Sequence, residues 1–348
     1  MVIELKEKKL FNPDGDDSLN KKSIINGNTT NLLNENEIKY GWANSLCERM
    51  MSNYWLPQRN ALNQDKLDYE TLDKNKQELF NSVLSFLTFL DSIQVNNIPK
   101  IADYITAPEI IACLTTQEFF ELIHSKSYQY IINSLIPSYG RDNIFNKYRT
   151  NKVLFERNKY IATIYQDFWD NKTQENFAKV LIANYILESL YFYNGFIIFY
   201  NFAQQNILMG VADIIREIQK DEHFHIELFA EMINDIEKEN PNFFNKQMIY
   251  EMFDFSVNQE INWCKHILKN NNIIGLNEIT SEKYTKYLAN KRLQLIGLEK
   301  LYPDFDENPY QFLEKFSDKD SSTLKSNFFE SKSTNYSQYT ILKDWDKI

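Results

Sequence analysis

The sequence predicts an all-α fold, a bundle of long helices. Gly and Pro number only 8 each in 348 residues, so the chain lacks the turn residues that a repetitive β-protein needs about every 8–12 positions. No G-x-G-x-x-G occurs, which removes the fingerprint of a dinucleotide-binding α/β fold. Apolar residues instead recur at helical spacing over long uninterrupted stretches. With 43% apolar residues, 25 Phe and 21 Tyr, there is material for a large core.

The elements follow in order. Residues 1–38 are polar and Asn-rich, with turn signals at Asn12-Pro13-Asp14-Gly15 and Asn26-Gly27-Asn28, and read as an extended arm that wraps or frays. Over 40–53, Trp42, Leu46 and Met50 recur every four residues, which predicts a helix ended by Trp55-Leu56-Pro57. Asp73 reads as an N-cap of a long helix through Gln94, and Pro99 and Pro108 bound the next connection. Further helices are expected over 107–134, 158–168, 173–205, 212–238, 245–270 and 281–297, with Gly210 separating the fourth from the third of these. From Ser317 the composition turns rich in Ser, Lys and Asn, and 317–348 reads as a flexible tail carrying aromatic islands at Phe328-Phe329, Tyr336, Tyr339 and Trp345. Residues 39–316 then form one domain.

Three widely spaced cysteines without C-x-x-C read as reduced thiols of a cytoplasmic protein. The first residues lack an apolar signal segment. The stretch 178–202 has nearly the length of a membrane span, but it contains Glu188 and several Asn, so it reads as the centre of a bundle. A net charge of −10 argues against general nucleic-acid binding, which needs a basic footprint.

Of four His, two stand three residues after a glutamate: Glu121 with His124, and Glu222 with His225. On a helix such pairs share a face. A single E-x-x-H is usually an exposed helix pair, and two among four His arise by chance in roughly 3% of chains. Context sharpens the signal. Glu121 and His124 lie in an apolar helix, where a carboxylate must be paired or bound to metal. Asp91, in FLTFLDSIQV, and Glu188, in ANYILESLYFY, share that setting, each on the helix before an E-x-x-H. The order is thus carboxylate, E-x-x-H, carboxylate, E-x-x-H, which is the pattern of ferritin-like di-iron and di-manganese bundles. Four carboxylates and two imidazoles without thiolates suit a pair of iron or manganese ions. The predicted fold is therefore a ferritin-like bundle with a four-helix dimetal core and flanking helices. Tyr128 follows His124 by four residues, which puts an oxidisable phenol one turn from a ligand. His223 and His266 remain bystanders.

With these residues in hand, the chain resembles the small, radical-generating subunit of class I ribonucleotide reductase. LDSIQ around Asp91, ELIHSKSY over 121–128, LESLYFY around Glu188 and KDEHFH over 220–225 fall in that family's order and spacing. The resemblance implies that Asp91, Glu121 and His124 hold one metal and Glu188, Glu222 and His225 the other, with Glu121 and Glu222 bridging. It implies that Tyr128 carries a stable radical in an apolar pocket of Phe192, Phe196 and Ile218. It also implies that Asp221 and Trp55 relay an electron from the site, with Tyr336, or less simply Tyr339, completing the path in a tail that docks on the large subunit. Lys347-Ile348 stands where such tails usually end in an aromatic residue. No nucleotide-binding extension precedes the core, so allosteric control would lie with the large subunit.

The implied activity is oxygen-dependent generation of a tyrosyl radical, relayed to the large subunit for reduction of ribonucleotides to deoxyribonucleotides. Two iron ions are the expected cofactor, with di-manganese or a mixed manganese–iron pair as the other options and a flavodoxin-like activating protein as partner if manganese is used. A homodimer without nucleic-acid or membrane partners is expected. The alternatives are an oxidase on the same bundle that binds a fatty-acid-like ligand, and another ferritin-like dimetal protein such as an iron store. Neither needs Trp55, Asp221 or an aromatic tail. A purely structural helical protein would bind no metal.

Overall fold

The computed structural model describes residues 3–269 and 275–310. Helix α1 (Gly41–Ser52) buries Ala43, Leu46, Cys47 and Met50, an i, i+3, i+4, i+7 stripe. Trp42 sits beside that stripe, half-buried, and donates its indole N–H to Asp235 at 2.9 Å. Helix α2 (Asn63–Thr71) was not expected. It has no apolar stripe, burying only Asp65 and Tyr69, and it forms against its neighbours.

Helix α3 (Lys74–Ala102) starts where expected: the Asp73 carboxylate accepts the N–H groups of Asn75 and Lys76, both at 3.0 Å. It runs two turns beyond Gln94, through Pro99. Pro99 has no N–H to give the Val95 carbonyl, and the helix ends three residues further on at Ala102. Helix α4 (Pro108–Leu135) opens with proline at its first position, where its missing N–H costs nothing. Helix α5 (Ser138–Thr150) was also unexpected and buries only Ile144; its Tyr148 stacks on Phe89 of α3 with centroids 4.1 Å apart. Helix α6 (Lys152–Asp170) is longer at both ends than its predicted core.

The expected single helix over 173–205 is three pieces. Helix α7 (Gln174–Ile186) passes into a π-helical segment, Leu187–Tyr191, and then into α8 (Phe192–Gln204). Every residue from 180 to 203 is buried, yet no helix among the described residues is long and apolar enough to cross a membrane.

Gly210 does not separate the next helix either. The break lies at Asn206 and Leu208, both left-handed, and Gly210 is inside α9 (Met209–Glu239). Its role is close approach: a Cβ there would sit 2.7 Å from the Asp65 carboxylate, which accepts the Val211 N–H at 2.7 Å. Asp65 thereby caps α9 from α2, as an acid at a helix N-terminus should. Helices α10 (Lys246–Leu268) and α11 (Glu278–Leu295) begin at Asn245 and Asn277, whose side chains cap them.

Helices α3, α4, α9 and the α7–α8 rod pack on one another as a four-helix core. Helix α1 lies on α4 and α9, and α5, α6, α10 and α11 flank the other sides. The arm is fastened to this bundle. Ile24 and Ile25 are buried, an antiparallel bridge pairs Ile25 with Ile105, and Lys22 forms a buried ion pair with Glu109 of α4 at 3.1 Å. Cys47, Cys113 and Cys264 are buried free thiols. Tyr336, Tyr339 and the rest of the expected tail lie outside the described residues.

Candidate dimetal site

Each core helix contributes to one point inside the bundle. Asp91 comes from α3, Glu121, His124 and Tyr128 from α4, Glu188 from the π-helical segment, and Asp221, Glu222 and His225 from α9. All eight are buried without measurable exposure. Two sets could each hold a metal ion, with candidate ligand atoms within 4.8 Å of one another: Asp91, Glu121 and His124, and Glu121, Glu188, Glu222 and His225. Glu121 belongs to both.

His225 Nδ1 lies 3.0 Å from Glu222, 3.2 Å from Glu121 and 3.6 Å from Glu188. His124 Nδ1 lies 3.3 Å from Glu222 and 3.4 Å from Glu121, but neither contact has hydrogen-bond geometry, and this nitrogen is left without a partner. Also unpartnered are both Asp91 oxygens, Glu121 Oε2, Glu188 Oε2 and Glu222 Oε1. A buried polar atom without a partner costs about 1–3 kcal/mol, and several aimed into one point mark a cation-binding donor set. The set of oxygen and imidazole donors fits iron or manganese.

The electrostatics point the same way. Burial raises the Asp91 carboxyl well above its usual range, and the Glu121 charge adds to that. Burial also raises Glu222, with Glu188 as the next cause. Burial would raise Glu121 too, but the His225 and His124 imidazoles outweigh it and hold it at about 2. For His225 burial opposes the charged form, yet Glu121 and Glu188 lift it to about 10. Four carboxylates this close demand positive charge, from protons or from cations. Burial, then the charges of Asp91 and Glu222, raise the Tyr128 phenol well above its ordinary value, so it is protonated throughout the physiological range.

Around this set lies a second layer. Asp221 Oδ2 bonds His124 Nε2 at 3.1 Å and accepts the Trp55 indole N–H at 2.7 Å; its other oxygen accepts from Asn53 at 2.7 Å. Glu188 Oε1 accepts amide N–H groups from Gln94 and, at 3.1 Å, from Gln117, while Tyr165 donates to Gln94 at 2.7 Å. Gln94, Gln117, Asn53 and Tyr165 were not read from the sequence. The available signal was spacing, because Gln94 follows Asp91 by three and Gln117 precedes Glu121 by four.

Phe192 and Phe196 are buried neighbours on α8, with centroids 6.2 Å apart, and Ile218 is buried on α9. His223 is edge-on to Tyr193 at 6.0 Å; burial, with Arg292 nearby, lowers its pKa to about 4. His266 lies in a surface groove of about 570 Å³ that shares no residue with the cluster.

A helical bundle that turns four carboxylates and two imidazoles into its centre defines a ferritin-like carboxylate protein with a metal-binding cluster. The family profile described as "Ribonucleotide reductase, small chain" matches residues 32–309. The ribonucleoside-diphosphate reductase subunit beta of Treponema pallidum (strain Nichols) is 37% identical over 343 residues, 98% of this chain and 97% of its own. The ribonucleotide reductase R2 subunit from Clostridium botulinum superposes with a TM-score of 0.87 at 38% identity, covering 90% of this chain and 99% of that one. A dimanganese(II)-NrdF from Streptococcus sanguinis superposes with a TM-score of 0.70 at 26% identity, covering 81% and 98%. The chain belongs to the ribonucleotide reductase small-chain family, and its function is that of a class I small subunit, which works with a large one.

Proposed function

We propose that this subunit generates and stores an oxidising equivalent on Tyr128 and passes it to the large subunit, where ribonucleotides are reduced. The carrying observation is the buried, unpartnered donor set one helical turn from Tyr128 on α4. Asp91, Glu121 and His124 would hold one metal ion and Glu188, Glu222 and His225 the other, with Glu121 and Glu222 shared. Bound there and oxidised by oxygen or a reduced oxygen species, a pair of iron or manganese ions would supply one-electron oxidising power. Iron is the first choice; the dimanganese relative supports manganese as the second, in which case a flavodoxin-like activating protein would be needed.

Tyr128 gives up an electron together with the proton on its Oη, because its environment disfavours phenolate. Its complete burial keeps water and reductants away, and Phe192, Phe196 and Ile218 complete the apolar surroundings. The hydrogen bonds from His124 to Asp221 and from Asp221 to Trp55 support a relay toward the surface, continued by Tyr336 or Tyr339 in a docking tail. The names of the relatives support nucleoside diphosphates as substrates of the assembled enzyme. A homodimer in the cytoplasm completes the reading.

The test is paramagnetic resonance with metal analysis on protein reconstituted separately with iron and with manganese. Two metals per chain and a tyrosyl signal are expected, and Tyr128→Phe should keep the metals and lose the signal. A signal that survives in Tyr128→Phe would remove Tyr128 from its role. Removing residues from Ser326 onward should leave the signal and abolish turnover with the large subunit.

A further inference from the structure

Glu188 stands on a segment with abnormal backbone. In a π-helical turn the bonds run from i to i+5, and such insertions concentrate at functional sites. Two arginines reach this segment from different helices. Arg157 of α6 donates Nη2 to the Tyr191 carbonyl at 3.1 Å, and Arg292 of α11 donates Nε to the Ser189 carbonyl at 3.2 Å. Both are buried.

Neither arginine is free to move. The Arg157 guanidinium lies 4.3 Å from the ring centroids of both Phe86 and Tyr191. It is paired with Glu260 of α10 and donates to Asn158 at 3.1 Å. Glu260 in turn accepts from Asn194 of α8 at 3.0 Å, one turn past the π segment. Arg292 sits 5.0 Å from the Tyr193 ring centroid, and its own carbonyl accepts the Tyr185 hydroxyl at 2.9 Å, two residues before the segment. Charged donors make stronger bonds than the helix's own amides. Placed on the carbonyls of Ser189 and Tyr191, they favour a backbone whose register an ordinary α-helix would not supply.

From this geometry we infer that Arg157 and Arg292 are positioning residues, which hold the π-helical segment in register so that Glu188 reaches the metal position it shares with Glu222 and His225. Neither touches the cluster. The inference rests on reading Glu188 as a metal ligand, and the experiment separates the two.

Mn²⁺ binding to the full-length metal-free chain is followed by calorimetry and by paramagnetic resonance, which distinguishes a coupled manganese pair from an isolated ion. Removing Arg157 alone would strand the buried Glu260 charge, so the variant is the neutral double change R157M/E260Q; R292M is made separately. Loss of a residue that orients a ligand lowers metal affinity by about 10–100-fold. Each variant should therefore weaken one of the two Mn²⁺ positions at least tenfold, leave the other within about twofold, and lose the coupled-pair signal, with R292K restoring part of it. Glu188→Ala serves as reference and should weaken the same position. If Glu188→Ala binds two ions like the parent, the ligand reading is wrong. If Glu188→Ala loses a position while folded R157M/E260Q and R292M bind both ions normally, or weaken both equally, the positioning role is wrong. Should R157M/E260Q fail to fold, R292M, which leaves the Arg157–Glu260 pair intact, decides the matter alone.

Discussion

Asp221 serves two partners through one oxygen, His124 Nε2 at 3.1 Å and Trp55 Nε1 at 2.7 Å. Its contact with His124 fixes which ring nitrogen faces the cluster, and its contact with Trp55 extends the chain of hydrogen bonds outward. Substitution separates the two roles. Trp55→Phe removes only the outward link. Metal content and the Tyr128 signal should be unchanged, while turnover with the large subunit falls roughly a hundredfold, about 2.7 kcal/mol on the barrier. Asp221→Asn should lose turnover as well and, if His124 ligates as proposed, weaken metal binding about 10–100-fold, because it loosens that imidazole. Full turnover in Trp55→Phe, or a drop in its metal content, would refute the division. At this scale the acids and imidazoles were legible in the sequence because charge inside an apolar helix is conspicuous. Gln94, Gln117 and Asn53 were not, since an uncharged amide in such a helix carries no comparable penalty until its partner is known.

Helices were legible where an apolar stripe runs for several turns, as in α3, α4 and α9. They were missed where the reason for the helix lies elsewhere in the chain. Helix α2 is fixed by Asp65 capping α9, and α5 by contacts such as Tyr148 on Phe89. The π-helical insertion left no trace because residues 177–203 are buried on nearly all sides, so shifting the register does not change which residues look apolar. The same crowding makes Gly195 of α8 a packing position. A Cβ there would meet Phe86 Cζ at 2.7 Å and Val83 Cγ1 at 3.2 Å. The Phe86 ring cannot swing away easily, being held by Arg157 on one face and edge-on by Trp263 at 5.8 Å. Gly195→Ala gains about 1 kcal/mol of helix propensity against an overpacking cost of about 1–3 kcal/mol. A net loss of about 1 kcal/mol is expected in urea unfolding, with Ala weaker than Gly against the usual helical order. A variant more stable than the parent would mean that α3 and α8 can separate at no cost.

Across the whole molecule, the sequence separated an arm from a helical body but gave no hint of how the two are joined. The join is electrostatic at its centre. The Lys22 and Glu109 side chains are 2% and 0% exposed, and Glu109 also accepts the N–H groups of Lys39 and Tyr40 at 3.0 and 3.2 Å. Breaking a buried pair from one side costs about 3–5 kcal/mol, because the surviving charge has no partner. Those two N–H bonds and the adjacent N-terminus of α4 soften the loss, so the lower figure applies to Lys22→Met. Where that loss falls is decided by connectivity. Among the described residues the arm meets the cluster helices only at their ends, through Lys22 on Glu109 in the first turn of α4, the Ile24 N–H on Glu239 at the last residue of α9 at 3.0 Å, and the Thr106 N–H bond to the Ile24 carbonyl at 2.7 Å, whereas Glu121, His124, Glu222 and His225 sit in the middle of α4 and α9. Lys22→Met should therefore release the arm while the core persists. Limited proteolysis should cut within residues 14–21 much faster than in the parent, with metal content equal to the parent's. Lys22→Met/Glu109→Gln should slow the cutting again, since the stranded charge is gone. Lost metal binding in Lys22→Met would instead show that the arm and the four-helix core unfold as one unit.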